Sequence, residues 1–135
     1  MTSSKASARP PIHMIDTEAD RLADLAMGAE ERLPQVSALL LEEIGRAHVH
    51  SAARIPRDVV TMHADVEFID EASGAKRAVR LVWPKEADIS AGRVSILTPV
   101  GAGLIGLREG QSILWPDRDG HRRALTIVKV RQAAA

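Results

Sequence analysis

The sequence predicts an α+β fold: a short antiparallel helical hairpin within residues 12–50, then an antiparallel sheet carrying one helix within residues 52–131. Three observations carry this. Apolar residues recur at helical spacing as far as Ala47. The pattern turns to strand-like alternation after Pro56. A Thr98-Pro99 helix start then interrupts the alternating part once.

Taken in order, residues 1–11 are rich in Ser and Ala, close on Pro10-Pro11, and read as a disordered leader. From Asp16, Leu22, Leu25 and Ala26 share a face with Ile15, so a helix is expected, opened by a Thr17/Asp20 capping box and stopped at a left-handed Gly28. Pro34 suits a first helical position, and Val36, Leu39, Leu40, Ile44 and Ala47 form the second stripe. The connection between the helices is short, which makes them antiparallel neighbours.

Beyond Pro56, Val59–Asp70 alternates, with Val60, Met62, Val66 and Phe68 on the apolar side and Thr61, His63, Asp65 and Glu67 opposite. Asp70–Gly74 reads as a turn and Arg77–Trp83 as the return strand, ended by Pro84. Arg93–Leu97 is a third strand, a short helix runs from Pro99 to about Gly106, and Ile113–Trp115 and Arg123–Val130 flank a turn at Asp117–Gly120. The tail from Gln132 is expected to fray.

Composition narrows the function classes. Lys and Arg number 18 and so do Asp and Glu, so binding to nucleic acid through bulk charge is not expected, nor is recognition of a specific DNA sequence. The first fifty residues carry 5 basic and 8 acidic groups and the remainder 13 and 10, a mild split between −3 and +3. Cysteine is absent, which removes disulfides, thiolate metal sites and thiol nucleophiles. Phe68, Trp83 and Trp115 are the only aromatics of the Phe, Trp and Tyr classes. With no export signal or spanning stretch, a cytoplasmic protein is expected.

Gly101, Gly103 and Gly106 spell G-x-G-x-x-G after a strand. The dinucleotide reading fails on context, because Asp117 and Asp119 fall in a hairpin turn and too little chain remains for a parallel βαβ unit. Small residues that let a short helix lie flat on a sheet explain the motif better. His13, His48, His50, His63 and His121 show no ligand spacing; His48 and His50 would occupy different faces of a continued helix. The pairs Glu30-Glu31 and Glu42-Glu43 suit exposed, dipole-complementing helix positions. No catalytic residue, cofactor or metal site is assigned.

The run Ser95-Ile-Leu-Thr-Pro-Val-Gly-Ala-Gly-Leu-Ile-Gly-Leu107, with Pro56–Met62, Glu86-Ala87-Asp88 and Gly110–Ile113 in the same order, resembles the C-terminal domain of the bacterial GreA/GreB transcription elongation factors. Arg9–Ile12 and the short hairpin bring the likeness closer to the nucleoside diphosphate kinase regulators of that superfamily, over roughly residues 9–130. Gly103 departs from the Ala expected there, a change that should soften the helix by up to about 1 kcal/mol.

This resemblance implies an FKBP-like sheet domain and binding to RNA polymerase near its secondary channel. The implied grip is centred on Thr98, Pro99, Val100 and Leu104, with Asp88 and Arg93 as a polar rim. In Gre factors two acids at the tip of a long coil hold Mg²⁺ for transcript cleavage. Here each helix spans roughly 18–24 Å, and Glu30 and Glu31 are adjacent, so the expectation is a monomeric, non-enzymatic regulator without cleavage activity. Cleavage through Glu30 and Glu31 is the alternative. A peptidyl-prolyl isomerase is remote, because the aromatic lining of such pockets is lacking.

Overall fold

Two 13-residue helices, α1 (Asp16–Gly28) and α2 (Pro34–Arg46), pack antiparallel because each has an apolar side. Ala19, Leu22 and Ala26 are buried on α1, and Val36 and Leu40 on α2. The Ser37 hydroxyl, also buried, donates to the Ala26 carbonyl at 2.7 Å and ties the two together. The expected Thr17/Asp20 box does not form. Asp16 instead accepts from the Thr17 amide at 2.6 Å, and α1 closes through the Ala29 amide on the Leu25 and Ala26 carbonyls, without a left-handed Gly28. Pro34 opens α2 as expected.

The computed structural model describes residues 9–116, 119 and 121–133. Residues 1–8 of the expected leader lie outside these. Residues 9–11, expected to be disordered with it, are held down. Pro10 is buried, Arg46 donates to the Pro10 carbonyl at 2.7 Å, and the Gln111 side chain donates to the Pro11 carbonyl at 3.2 Å.

Ile15 and the two histidines after α2 are not helical. β1 (His13–Ile15) and β2 (His48–His50) form a parallel pair, with His13 opposite His48 and Ile15 opposite His50. A parallel pair needs a long crossover, and the helical hairpin supplies it. β1 is also anchored by the His13 amide on the Gly106 carbonyl at 3.0 Å.

The main sheet has five strands: β3 (Asp65–Asp70), β4 (Ala75–Val82), β5 (Arg93–Ser95), β6 (Ser112–Pro116) and β7 (Arg122–Arg131), in the order β5-β4-β3-β7-β6. Every pairing is antiparallel except β4 with β5, which corrects the all-antiparallel expectation. The 3₁₀ turns Pro84–Glu86 and Ile89–Ala91 carry the chain back so that β5 enters in the direction of β4.

The strand expected from Val59 begins only at Asp65. Residues 59–64 run under the end of the third helix, where Val60 exchanges backbone bonds with Gly106 and Leu107 (2.9 and 2.8 Å), and His63 turns the chain at φ 67°. Covered from two sides, Thr61 is only 4% exposed although alternation assigns it to solvent. Asp117, Arg118 and Gly120 of the expected turn lie outside the described residues. The tail does not fray at Gln132, whose amide donates to the Pro56 and Val59 carbonyls at 2.8 and 3.0 Å; Ala134 and Ala135 lie outside the described residues.

α3 (Pro99–Leu104) lies between α2 and strands β5 and β6. One apolar cluster runs through both parts, joining Leu22 and Leu40 of the hairpin to Leu104 and Leu107 and to Ile113 and Ile127 of the sheet. The glycine motif makes this layering possible. A β-carbon at Gly101 would collide with the Ser95 carbonyl oxygen, one at Gly103 would press on the Trp115 ring, and Gly106 sits at φ +86° against β1. The chain after α3 enters antiparallel β6, so there is no dinucleotide crossover. No helix among the described residues is long and apolar enough to cross a membrane.

Candidate functional site

The loop entering α3 is built as a rigid support. The Ser95 hydroxyl accepts from the Leu97 amide at 3.0 Å. Thr98 caps α3: its hydroxyl oxygen accepts from the Gly101 amide at 3.1 Å and donates its own proton to the Ser95 carbonyl at 2.7 Å. Pro99 follows at the first helical position, where its fixed φ costs nothing. Thr98 thus spends its polar group inside the fold and offers a partner little beyond its methyl.

The six residues assigned from the sequence separate in space. Val100 is 36% exposed. Pro99 is buried, yet its ring lines the grooves on both sides of α3. Leu104 is 0% exposed and packs in the core, so it cannot touch a partner directly. Its four-residue spacing from Val100 suggests a shared face. However, α3 is so short and so enclosed that only its first turn reaches the surface.

Asp88 and Arg93 are both exposed and bracket a tight turn, joined by paired backbone bonds of 3.0 and 2.9 Å. The Ser90 hydroxyl donates to Asp88 at 2.6 Å, which holds this carboxyl below the usual range. Between them Ile89 stands 89% exposed. Pattern reading misses Ile89 because a single apolar residue in a turn has no periodic partner. The signal available was the apolar side chain itself within Ala87-Asp88-Ile89-Ser90.

Ile89, Val94, Pro99 and Val100 line a groove of about 280 Å³ that is almost wholly apolar. Across Pro99 and Val100 lies a second groove of about 290 Å³, floored by Phe68 and Trp115 and edged by Arg77 and by the Asp70–Arg123 pair at 2.6 Å. The Trp115 indole N–H is buried without a hydrogen-bond partner among the described residues. Together the two grooves, which share Val94, Pro99 and Val100, make an apolar strip with charged edges.

Glu86, matched by the sequence to this region, serves the fold. It accepts from the His63 ring at 2.8 Å and the Trp83 amide at 3.2 Å, and the His63 contact holds its carboxyl below the ordinary range. The Trp83 ring in turn carries the Arg21 guanidinium at 4.0 Å, so this corner joins α1 to the sheet. Glu30 and Glu31 are exposed in the turn between α1 and α2, at the far end of the hairpin.

The chain matches the family model described as "Transcription elongation factor, GreA/GreB, C-term" over residues 55–132. It is 39% identical to the regulator of nucleoside diphosphate kinase of Escherichia coli K12, over 80% of this chain and 79% of the relative. To a transcription elongation factor GreA of Azorhizobium caulinodans it is 35% identical, covering 93% of this chain and 84% of the relative. A solved prokaryotic transcription elongation factor GreA/GreB from Nitrosomonas europaea superposes with a TM-score of 0.70 at 37% identity, over 92% of this chain and 100% of that one.

Proposed function

Because the chain belongs to the GreA/GreB transcription elongation factor family, we propose that it is a regulator that binds RNA polymerase near the secondary channel through the α3 end of its sheet domain, without stimulating transcript cleavage. The observation that carries the binding reading is the exposed pair Ile89 and Val100 beside an apolar groove, Ile89 on the turn that Asp88 and Arg93 close and Val100 after the loop that Thr98 and Ser95 lock in place. A partner side chain entering the groove gains apolar burial against a support that pays little ordering entropy. Asp88 and Arg93, at the groove edge, orient the partner by charge.

The absence of cleavage rests on reach. Each hairpin helix has 13 residues, about 20 Å at 1.5 Å per residue. That length supports a hairpin resting at the channel mouth rather than one delivering Glu30 and Glu31 deep within it.

The test is binding of purified core RNA polymerase to an Ile89→Ser, Val100→Ser double variant. Both side chains are exposed, so the thermal midpoint should stay within about 1–2 °C, in line with surface substitutions. Affinity should fall by at least about tenfold, as for central interface residues. Pro99→Asn is a poorer probe, since it buries an amide and confounds binding with stability. Unchanged affinity in the double variant would place the contact elsewhere.

A further inference from the structure

A groove of about 370 Å³ crosses the solvent face of the main sheet. Asp65 and Glu67 alternate with the buried Val66 and Phe68, so their side chains stand on the side of β3 away from the core. Strand register carries a row of charge across four strands there. Arg93 is opposite Arg80, Arg80 is opposite Asp65, and Asp65 is opposite Arg131. Lys129 lies opposite Glu67, two residues before Arg131 and on the same side of β7, since Val130 between them is buried. Ala78 and Gly92 add little bulk and leave the row open; Gly92 turns the chain at φ +75°, where a larger residue is strained.

Both carboxylates of the groove are already answered. Arg80 donates to Asp65 at 2.9 and 3.3 Å, and Lys76 reaches Glu67 at 3.2 Å. The Arg80 bonds, with the Arg80 and Arg131 charges nearby, hold the Asp65 carboxyl below its usual range. Three further cations, Arg93, Lys129 and Arg131, line the groove exposed, and their side chains have no ion pair or hydrogen bond among the described residues. Cations gathered without counter-charge focus a positive field that a multivalent anion relieves. Arg93 and Arg131 are three strand spacings apart, roughly 14 Å, so linked phosphates meet the row better than a single one. We propose that this groove binds an oligophosphate anion, the di- or triphosphate group of a small ligand, through Arg93, Lys129 and Arg131. Guanidinium forks and an ammonium give charge-assisted bonds to phosphate oxygens. No aromatic side chain lines the groove, so no base is stacked there and the phosphates alone are read. The zero net charge of the chain disfavours a long nucleic-acid strand, which draws on charge over a wider surface. Arg93 also borders the apolar groove, whereas Lys129 and Arg131 do not.

The test titrates the full chain with tripolyphosphate at low ionic strength, followed by calorimetry and by amide shifts in NMR, beside ATP and a short single-stranded RNA. One equivalent of tripolyphosphate per chain is expected, with shifts centred on β3, β4 and β7 and an affinity that falls as salt is raised. ATP should bind about as tightly, and the RNA more weakly. Lys129→Gln with Arg131→Gln should weaken tripolyphosphate binding by roughly tenfold or more. Arg32→Gln with Arg54→Gln removes the same charge at exposed positions outside the groove and should change affinity by less than about twofold. Thermal midpoints without ligand show that the variants are folded, and either single groove variant, losing part of the affinity, serves if the pair disturbs β7. Arg93 is left intact, so polymerase binding is not touched by the test. Absence of binding at millimolar tripolyphosphate overturns the proposal. So does undiminished affinity in the folded groove variant, an equal loss in the two double variants, or RNA that binds more tightly than tripolyphosphate through Lys129 and Arg131.

Discussion

The indole of Trp115 rests on the bare α-carbon of Gly103: a β-carbon there would stand 3.0 Å from three ring carbons of Trp115. The departure from Ala at this position is therefore matched by a large neighbour. Helix propensity alone says Gly103→Ala should stabilise by up to about 1 kcal/mol. The contact involves ring atoms near the Trp115 backbone in a buried site, where overpacking costs about 1–3 kcal/mol. We expect a net loss near 1 kcal/mol, read as a thermal midpoint lower by a few degrees. A midpoint that rises would show that the ring yields.

Glu43 is a fully buried carboxylate, 0% exposed, held by two Arg46 bonds of 2.9 and 2.7 Å with Arg9 at 3.5 Å. Arg46→Ala should destabilise by up to about 3 kcal/mol, because it removes both hydrogen bonds to that charge and leaves it only the longer Arg9 contact. It also releases the Pro10 carbonyl. Glu43→Gln, which removes the charge, should partly rescue Arg46→Ala in a double-variant cycle followed by urea denaturation.

Glu18 accepts from the Met62 amide at 3.1 Å, and burial raises its carboxyl above the ordinary glutamate range despite that bond and the nearby His63. The folded chain therefore holds this proton to higher pH than the unfolded chain does. Its contribution is most favourable below the unfolded value of 4.5 and is lost as pH rises through the folded value. Glu18→Gln keeps an acceptor for Met62 and cannot ionise. Urea stability of wild type relative to this variant should fall as pH rises from below 4.5 through the raised folded value. A flat difference would mean that Glu18 is better solvated than its burial implies.

Added to arrested RNA polymerase, the protein should leave transcript cleavage at its intrinsic rate, and Glu30→Ala with Glu31→Ala should change nothing. The two acids stand exposed at the end of a hairpin of two 13-residue helices. Stimulated cleavage that vanishes in the double variant would establish the finger reading instead.

Much of this architecture is legible in residue spacing. Leu22 with Ala26, and Val36 with Leu40, mark the packed faces of the two helices, and Thr98-Pro99 marks the start of α3. The glycines read correctly as packing, although their individual partners, the Ser95 carbonyl and the Trp115 ring, are set only by the fold. Three-residue strands escape because His48–His50 carries no periodicity of its own and pairs only through β1. Residues 59–64 mislead because they alternate apolar and polar but are covered on both sides. At the candidate site the sequence misjudged which side chains of the loop it singled out face outward. Leu104 belongs to the core, and Ile89, with no periodic neighbour, leads the surface.

Consider last the two bonds that bind β1 and its approach to the far half of the chain, His13 to Gly106 and Gln111 to Pro11, the latter linking residues 100 positions apart. During translation β1 can pair with β2 once α2 has emerged, but its bond to Gly106 must wait for the segment beyond α3. Closing so long a loop before its contacts reward it is slow. An early segment is thus among the last to be fully fastened, and until it is, the base of the hairpin stays open at one seam.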